Sequence, residues 1–299
     1  MARFIDPRVD WAFKRIFGSE DTKECLITFL NGLFEDELVI KDVTFAKTEK
    51  LGLRPDDRGV VFDVYCITNE GKHIIVEMQK KEQEYFADRA LYYTARAIVQ
   101  QGIRGIWDYH LAPVYTVCFM DFVSASPMLK EFRTDLVLTD LQTRQRVSDR
   151  MRIVYLQLPL FDKHTEAECM DIFDCWIYIM KNMNMFEQMP FSEKYPVFRK
   201  LAEIGDLRKL SREELELYDE DIKNMRDIYA TRKFDEKRGM EKGMEIGMAK
   251  GMEKGIAKGM EKEKLATAHR LLSMGLSDEQ VSTVTELPLA EIQKMREQA

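Results

Sequence analysis

The sequence predicts an α/β (α+β) core, followed by an all-α region and a helical C-terminal tail. Two observations predict the core: three β-rich segments follow one another, and a helical stretch then separates them from further apolar runs. A third observation sets the tail apart, because glycine recurs there at every fourth residue. We therefore predict four parts, which cover residues 1–160, 161–236, 237–264 and 265–299.

The core is predicted to begin with two short helices. The stretch VDWAFKRIF has apolar residues at helical spacing, and DTKECLITFLNGLF follows Ser19, a residue type typical of helix N-caps. Three β-rich segments come next: LVIKDVTFAK, VVFDVYCI and HIIVEMQ. A helix over about residues 83–101 and two further strands, VYTVCFMDF and RIVYLQLPLF, complete the predicted core.

Helical patterns continue through the second part of the chain. AECMDIFDCWIYIMKNM and EKYPVFRKLAEI carry apolar stripes, and Ser211 precedes Glu214 at capping-box spacing. In the last part, Gly275 is expected to end one helix, Ser277 to cap a second, and Pro288 to lie in the first turn of a third. This predicts a three-helix or helix-turn-helix tail, for which packing, dimerisation and groove binding all stay open.

The third part is a repeat, GMEKGMEIGMAKGMEKGIAKGMEK, in which each glycine is followed by methionine or isoleucine. Each interior glycine costs a helix about 1 kcal/mol relative to alanine, so an isolated helix is expected to be marginal. Two interpretations stay open. Helices from two chains pack closely on glycine and methionine, or the segment is a flexible tether.

Composition excludes several classes of protein. No apolar run approaches the ~20 residues that a bilayer span requires, and the start lacks a signal-peptide pattern, so we expect a cytoplasmic protein with no membrane partner. Five cysteines without a Cys-x-x-Cys pair predict reduced, mostly buried thiols and not a disulfide framework or a zinc site. The net charge of -7 disfavours nucleic-acid binding by bulk electrostatics, although an acidic metal site can act on a phosphate backbone.

The most informative segment is VVFDVYCITNEGKHIIVEMQKK, which predicts a hairpin with a three-residue loop. Gly71 is expected to take the left-handed position after a type I turn. Residues whose numbers sum to 140 then face each other, so Asp63 lies opposite Glu77 and Val61 lies opposite Gln79. Opposed side chains on one face have Cβ atoms about 4.5–5.5 Å apart.

Two adjacent carboxylates among apolar neighbours repel each other unless a proton or a cation lies between them. Mg²⁺ and Mn²⁺ prefer such oxygen ligands and retain several waters, and a bound ion of this kind promotes phosphodiester hydrolysis. The alternative is an edge hairpin whose exposed face happens to carry charges. The apolar flanks, VVF before Asp63 and IIV before Glu77, favour a site.

The pattern Asp-x(13)-Glu-x-Gln on a hairpin resembles the PD-(D/E)xK nuclease superfamily. More closely, the chain resembles the Rpn-type recombination-promoting nucleases, which are also described as transposases of the PD-(D/E)xK nuclease family. The matching blocks are DWAFKRIFG, GVVFDVYCITNEGKHIIVEMQ, YFADRALYYTARA and the glycine repeat with its helical tail. Together they cover most of the chain in the expected order.

The resemblance implies a restriction-endonuclease-like fold in residues 1–160, with a mixed central sheet flanked by helices. It also implies a Mg²⁺-dependent DNA endonuclease, with Mn²⁺ as a substitute, linked to recombination or mobile elements. Asp63 and Glu77 match the metal-binding acids. Gln79 matches the third catalytic position, where the superfamily pattern has lysine.

Glutamine at this position is a departure with chemical consequences. Lysine supplies a positive charge, whereas the Gln79 amide offers only dipoles. Glu-x-Gln is nevertheless the form of the subfamily that this chain resembles. Lys81 lies on the same strand face if the strand continues, and we consider it a candidate source of the missing charge, the alternative being a solvated lysine at the strand end.

Further accessory residues lie on the two predicted helices beside the hairpin. Asp10 is a candidate additional acid, and Lys14, one turn later, is a candidate phosphate contact. Arg89 and Arg96, seven residues apart, are candidates to line a path for nucleic acid. The alternatives are a solvated or capping acid and arginines whose stems cover apolar surface.

The leading functional interpretation is the DNA endonuclease, with DNA as its partner and self-association through the C-terminal repeat. The alternative is a catalytically weak DNA-binding or oligomeric scaffold protein of the same fold, because of the glutamine. Action on RNA stays open as well, since a carboxylate–metal site contacts phosphate and not the sugar.

Overall fold

We describe the protein from a computed structural model that covers residues 3–35, 37–50 and 59–297. The chain divides into two compact units, Met1–Met225 and Arg226–Ala299. The division into four parts, at residues 160, 236 and 264, stays a prediction. The strands are β1 (Val43–Phe45), β2 (Glu49–Lys50), β3 (Val60–Val61), β4 (Val64–Thr68), β5 (His73–Gln79), β6 (Val114–Met120), β7 (Arg133–Thr139) and β8 (Arg146–Gln157). The helices are α1 (Asp10–Phe17), α2 (Lys23–Leu33), α3 (Phe86–Val99), α4 (Ile172–Asn182), α5 (Pro196–Gly205), α6 (Arg212–Ser273), α7 (Asp278–Thr285) and α8 (Leu289–Glu297).

The first unit is built on a mixed six-stranded sheet with the order β1-β4-β5-β6-β8-β7. The pairs β1·β4, β4·β5 and β7·β8 are antiparallel, whereas β5·β6 and β6·β8 are parallel. The predicted α/β core with a mixed sheet, followed by a helical C-terminal region, is confirmed.

Alternating side chains of the sheet enter two different hydrophobic cores. On one face, Val76 and Phe119 pack with residues of α1, α2, α4 and α5, and Phe119 lies 5.0 Å from Phe29 between ring centroids. On the other face, Ile75 and Tyr155 belong to the smaller clusters that include residues of α3. The helix α3 therefore covers the face of the hairpin that carries Glu77, two residues after Ile75.

Two details of the sheet differ from the sequence prediction. Strand β7 was missed, because it is an edge strand with mostly half-buried or exposed residues and only a short apolar run, LVL. The predicted pairing of Val61 with Gln79 is wrong. Val61 pairs with Glu49 in a separate two-stranded ladder, because the chain leaves the hairpin ladder before Val64.

The second unit contains most of α6, with α7 and α8. Gly275, with φ of +87°, follows α6, and Ser277 caps α7 in a capping box, both as predicted. Pro288 lies immediately before α8, one residue outside the predicted first turn. Ala268, Val281 and Ile292 form the small buried core of this unit.

All five cysteines are buried free thiols, as predicted. None of the helices within the described residues combines the length and the hydropathy that a bilayer crossing requires.

Candidate active site

The β4–β5 hairpin has the predicted loop. Gly71 has φ of +78°, a conformation that glycine adopts at little cost. The Thr68 N–H donates to the Lys72 carbonyl at 2.9 Å and closes the loop. Val64 faces Val76, so the observed register has the predicted sum of 140.

Asp63 and Glu77 meet at the open end of this hairpin, where β4 begins. The Asp63 N–H donates to Glu77 Oε1 at 3.2 Å, and the Met78 N–H donates to Asp63 Oδ2 at 2.8 Å. Each carboxylate thus takes a backbone donor from the segment that carries the other acid. Among the described residues, no hydrogen bond engages Asp63 Oδ1 or Glu77 Oε2.

Burial raises the pKa of both acids. For Glu77, which is 8% exposed, desolvation and the charge of Asp63 hold the pKa well above its usual range, against the opposing effects of the Asp63 N–H, Arg89 and Lys14. For Asp63, desolvation and the charge of Asp10 raise the pKa, while the Met78 N–H, Lys14 and Arg89 oppose the shift. A cation bound here relieves a repulsion that the fold otherwise sustains.

Gln79 ends β5, and both ends of its amide are engaged. Its Nε2 donates to the Lys81 carbonyl at 3.0 Å, and its Oε1 accepts from Arg89 Nη2. Because β5 ends at Gln79, the condition that placed Lys81 on the same strand face is not met. Lys81 contributes its carbonyl to the position of Gln79.

Arg89 lies in the first turns of α3 and is held from several sides. Besides Gln79, its Nη1 donates to Gln83 Oε1 at 2.7 Å. Its guanidinium carbon lies 5.7 Å from the ring centroid of Phe86 and 5.8 Å from that of Tyr93. These contacts direct a permanent positive charge toward the two acids.

On α1, Asp10 and Lys14 form an ion pair of 2.8 Å between Oδ2 and Nζ, with both side chains about half exposed. Burial alone would lower the pKa of Lys14, but the hydrogen bond and charge of Asp10, together with the charges of Asp63 and Asp221, raise it. Lys14 is therefore a second cation whose field reaches the acid pair.

Most of the predicted site residues interact with one another, through charge or hydrogen bonds. They are Asp10, Lys14, Asp63, Glu77, Gln79 and Arg89. Arg96 does not join them, because it is only 6% exposed and cannot line a surface path. Two contributors were missed by sequence reasoning, Gln83 and Asp221. Gln83 bonds to Arg89 but lies in the irregular segment between β5 and α3, where no periodicity marks it. Asp221 accepts a hydrogen bond of 2.8 Å from the N–H of Trp11, 210 residues away, so no local signal marks it either.

The donor set fits a hard divalent cation. In the part of the chain that the structure describes, no group of three or more His, Cys, Asp and Glu side chains is arranged to hold a metal ion. The arrangement offers a pair of carboxylates, Asp63 and Glu77, and Mg²⁺ is typically bound through one or two carboxylates with waters and substrate phosphate as its remaining ligands.

Comparisons with known proteins point to one family. Searches of curated proteins and of solved structures each find no match. Residues 7–233 match the family described as PD-(D/E)XK nuclease family transposase, a stretch that contains the whole acid pair and its flanking cations. PD-(D/E)XK nucleases generally use divalent metals. The chain belongs to the PD-(D/E)XK nuclease family transposases.

Proposed function

We propose that the protein is a metal-dependent DNA endonuclease that hydrolyses phosphodiester bonds in recombination or in the movement of mobile elements. Mg²⁺ is the proposed ion, with Mn²⁺ as a substitute. The observation that carries the proposal is the pair of half-buried Asp63 and buried Glu77, joined by two hydrogen bonds and flanked by Lys14 and Arg89.

Asp63 and Glu77 would hold the ion through Asp63 Oδ1 and Glu77 Oε2, the oxygens that do not accept these two backbone hydrogen bonds. A divalent ion supplies Lewis acidity here, which lowers the pKa of water and screens charge on the phosphate. The two N–H donors fix the carboxylates before any ligand arrives. This preorganisation lowers the entropic cost of binding.

Arg89 takes the electrostatic place that lysine has in the superfamily pattern. Its charge acts on Asp63 and Glu77, and its guanidinium bonds to Gln79, which stands at the lysine position. Gln79 is in this view a positioning residue for Arg89. Lys14 is placed to attract the phosphate backbone to the acid pair.

The glycine repeat is proposed to join two chains. Its methionines and isoleucines are exposed in the single chain, for example Met248 and Met252 at 70% each. A second helix of the same kind would bury them, and a two-fold dimer places two active sites on opposite DNA strands. A chain truncated after Arg238 is expected to keep nicking, to have a smaller mass in light scattering, and to lose more double-strand cutting than nicking.

The test of the proposed function is nicking of supercoiled plasmid with Mg²⁺, Mn²⁺, Ca²⁺ or chelator. The wild-type protein is expected to nick with Mg²⁺ and Mn²⁺ and not with chelator, and Asp63→Ala is expected to be inactive while folded. Nicking in chelator, or full activity of Asp63→Ala, would contradict the proposal. DNA binding by a wild-type protein that never nicks would favour the scaffold alternative.

A further inference from the structure

A cleft opens beside the acid pair, on the α3 side of the hairpin. Its volume is about 510 Å³, within the range of small-ligand sites. The first two turns of α3 and the three residues before it line the cleft, together with Gly59 and Val60. The side chains at the cleft include Glu84, Tyr85, Asp88, Arg89, Tyr92 and Tyr93.

This cleft is continuous with the candidate active site through two links. Arg89 lines the cleft and also bonds to Gln79 at the end of β5. The Tyr93 ring packs edge-on against Phe62 with centroids 5.5 Å apart, and Phe62 directly precedes Asp63. A molecule in the cleft therefore lies next to a phosphate held at the acid pair.

Apart from Arg89, which faces the acid-pair side, most side chains of the cleft are aromatic or acidic, which suits a base and not a phosphate. Tyr85 and Tyr92 are 66% and 42% exposed, so large aromatic surfaces face solvent here. Aromatic side chains stack on nucleobases, which all have a π-face. Glu84 and Asp88 repel phosphate, but carboxylates accept hydrogen bonds from the amino groups of bases.

A base within a duplex cannot use these walls. Stacked neighbours cover both of its faces, and its amino group is paired, so only an edge is accessible in a groove. An unpaired base exposes its faces to a tyrosine and its amino group to a carboxylate. These charges would orient such a nucleotide, with its phosphate near Lys14 and Arg89 and its base near Asp88.

We propose that this cleft binds one unpaired nucleobase adjacent to the phosphate that is cut, with a preference for bases that carry an amino group, such as cytosine, over thymine. This inference rests on the proposed function, because it names the substrate class of the same site: DNA with a single-stranded or distorted position.

The test is fluorescence anisotropy with labelled duplexes of one length, which are fully paired or contain one unpaired cytosine or one unpaired thymine. Chelator is present, so that no cutting takes place. Stacking of one base contributes about 1–3 kcal/mol, so the unpaired-cytosine duplex should bind roughly ten-fold tighter than the paired duplex. Asp88→Asn is expected to remove the preference for cytosine over thymine.

Variants at one tyrosine separate stacking from folding. Tyr92→Ala should reduce the ten-fold preference for the unpaired base to within about two-fold, whereas Tyr92→Phe, which retains the ring, should keep it. Tyr229→Ala is the matched control, since Tyr229 is a 68% exposed helical tyrosine in the second unit. No preference in the wild type, or a preference that survives in both Tyr92→Ala and Tyr85→Ala, would overturn the proposal.

The two proposals fail in different ways. A protein that nicks plasmid with Mg²⁺ but binds paired and unpaired duplexes equally refutes the cleft and leaves the endonuclease standing. A protein that prefers the unpaired base through Tyr92 but never nicks refutes the endonuclease and leaves the cleft standing.

Discussion

The β4–β5 hairpin and the glycine repeat of α6 both contain residues that local stability disfavours, and they differ in how the chain compensates for them. In the hairpin, Glu77 is nearly buried beside Asp63, but Lys14 and Arg89 oppose the repulsion. In the repeat, glycines occupy the interior of a helix. At Gly247, as at the other repeat glycines, no heavy atom of the described residues outside the adjacent helical backbone lies within 4 Å of an added Cβ.

The two regions differ in what could offset their unfavourable residues. Two adjacent acids become favourable when a cation binds between them, and such a cation would stabilise the hairpin without a second chain. Six interior glycines become favourable only if another backbone comes close, and the single chain supplies none among its described residues. The proposed metal would offset the unfavourable acids of the hairpin, and the proposed partner helix would offset the unfavourable glycines of the repeat.

The largest expected effect tests the hairpin. Glu77→Ala should reduce plasmid nicking in Mg²⁺ to background, because it removes one of two metal ligands and the acceptor for the Asp63 N–H. The matched control is Glu70→Ala, an exposed acid in the loop of the same hairpin that pairs with Lys72. Glu70→Ala should nick at the wild-type rate. Equal nicking by folded Glu77→Ala would remove Glu77 from the site.

A smaller effect tests the cations that compensate for the acids. Arg89→Ala and Gln79→Ala should each lower the nicking rate by about 10- to 1000-fold, the range for one lost stabilising group, without abolishing metal binding. Arg89→Lys should recover part of the rate, because it retains the charge but loses the fork that reaches Gln79 and Gln83.

The control for these variants is Arg104→Ala, an exposed arginine between α3 and β6, which should not change the rate. Gln79→Lys is expected to be tolerated or activating. An unchanged rate in Gln79→Ala would make this glutamine merely part of the strand.

The cost of burying Glu77 can be measured as a change in the free energy of unfolding. Its pKa is raised in the folded state, so the unfolded chain releases the proton more readily and stability is lost as pH rises above the unfolded value of about 4.3. Glu77→Gln should therefore raise the free energy of unfolding by roughly 1–3 kcal/mol at pH 7 without metal. The gain should vanish toward pH 4.

Thermal unfolding, monitored by circular dichroism, measures the difference in stability between Glu77→Gln and the wild type. Glu70→Gln is the control and should show little change. Mg²⁺ should stabilise the wild type by about 2.7 kcal/mol at a hundred times Kd, and should not stabilise Glu77→Gln to that extent. A less stable Glu77→Gln at pH 7 would mean that the carboxylate stabilises the fold.

The smallest effect concerns the repeat. Gly247→Ala and Gly251→Ala should each stabilise the isolated helix by about 0.5–1 kcal/mol, because each removes backbone freedom and the new methyl group contacts no described atom beyond the adjacent helical backbone. If a partner helix packs on these glycines, the same substitutions should weaken self-association.

Helicity at 222 nm and mass by light scattering report these two effects separately. Ala249→Gly is the opposite control, which should lower helicity. Raised helicity with an unchanged mass would show that the glycines do not contact a partner helix.

Local patterns predicted the hairpin well because its geometry depends on neighbouring residues. Gly71 sets the loop, the loop sets the register, and the register places Asp63 beside Glu77. The capping residues Ser211 and Ser277 were equally local: Glu214 N–H donates to Ser211 Oγ at 3.2 Å, and Gln280 N–H to Ser277 Oγ.

What the sequence did not predict depends on distant parts of the chain. Val61 follows the same alternation as the hairpin but pairs elsewhere, and no local signal marks where β4 begins. The sequence made Lys81 a candidate source of the missing charge and Arg89 a candidate to line a path for nucleic acid. Only the packing of α3 on the sheet shows that the Arg89 guanidinium reaches Gln79.

The most direct test of the central claim is a calorimetric titration of the metal-free protein with Mg²⁺. We predict one binding event per chain for the wild type, its loss in both Asp63→Ala and Glu77→Ala, and its retention in Glu70→Ala. Mg²⁺ binding of undiminished affinity in folded Asp63→Ala or Glu77→Ala would contradict the claim that these two carboxylates form the metal site.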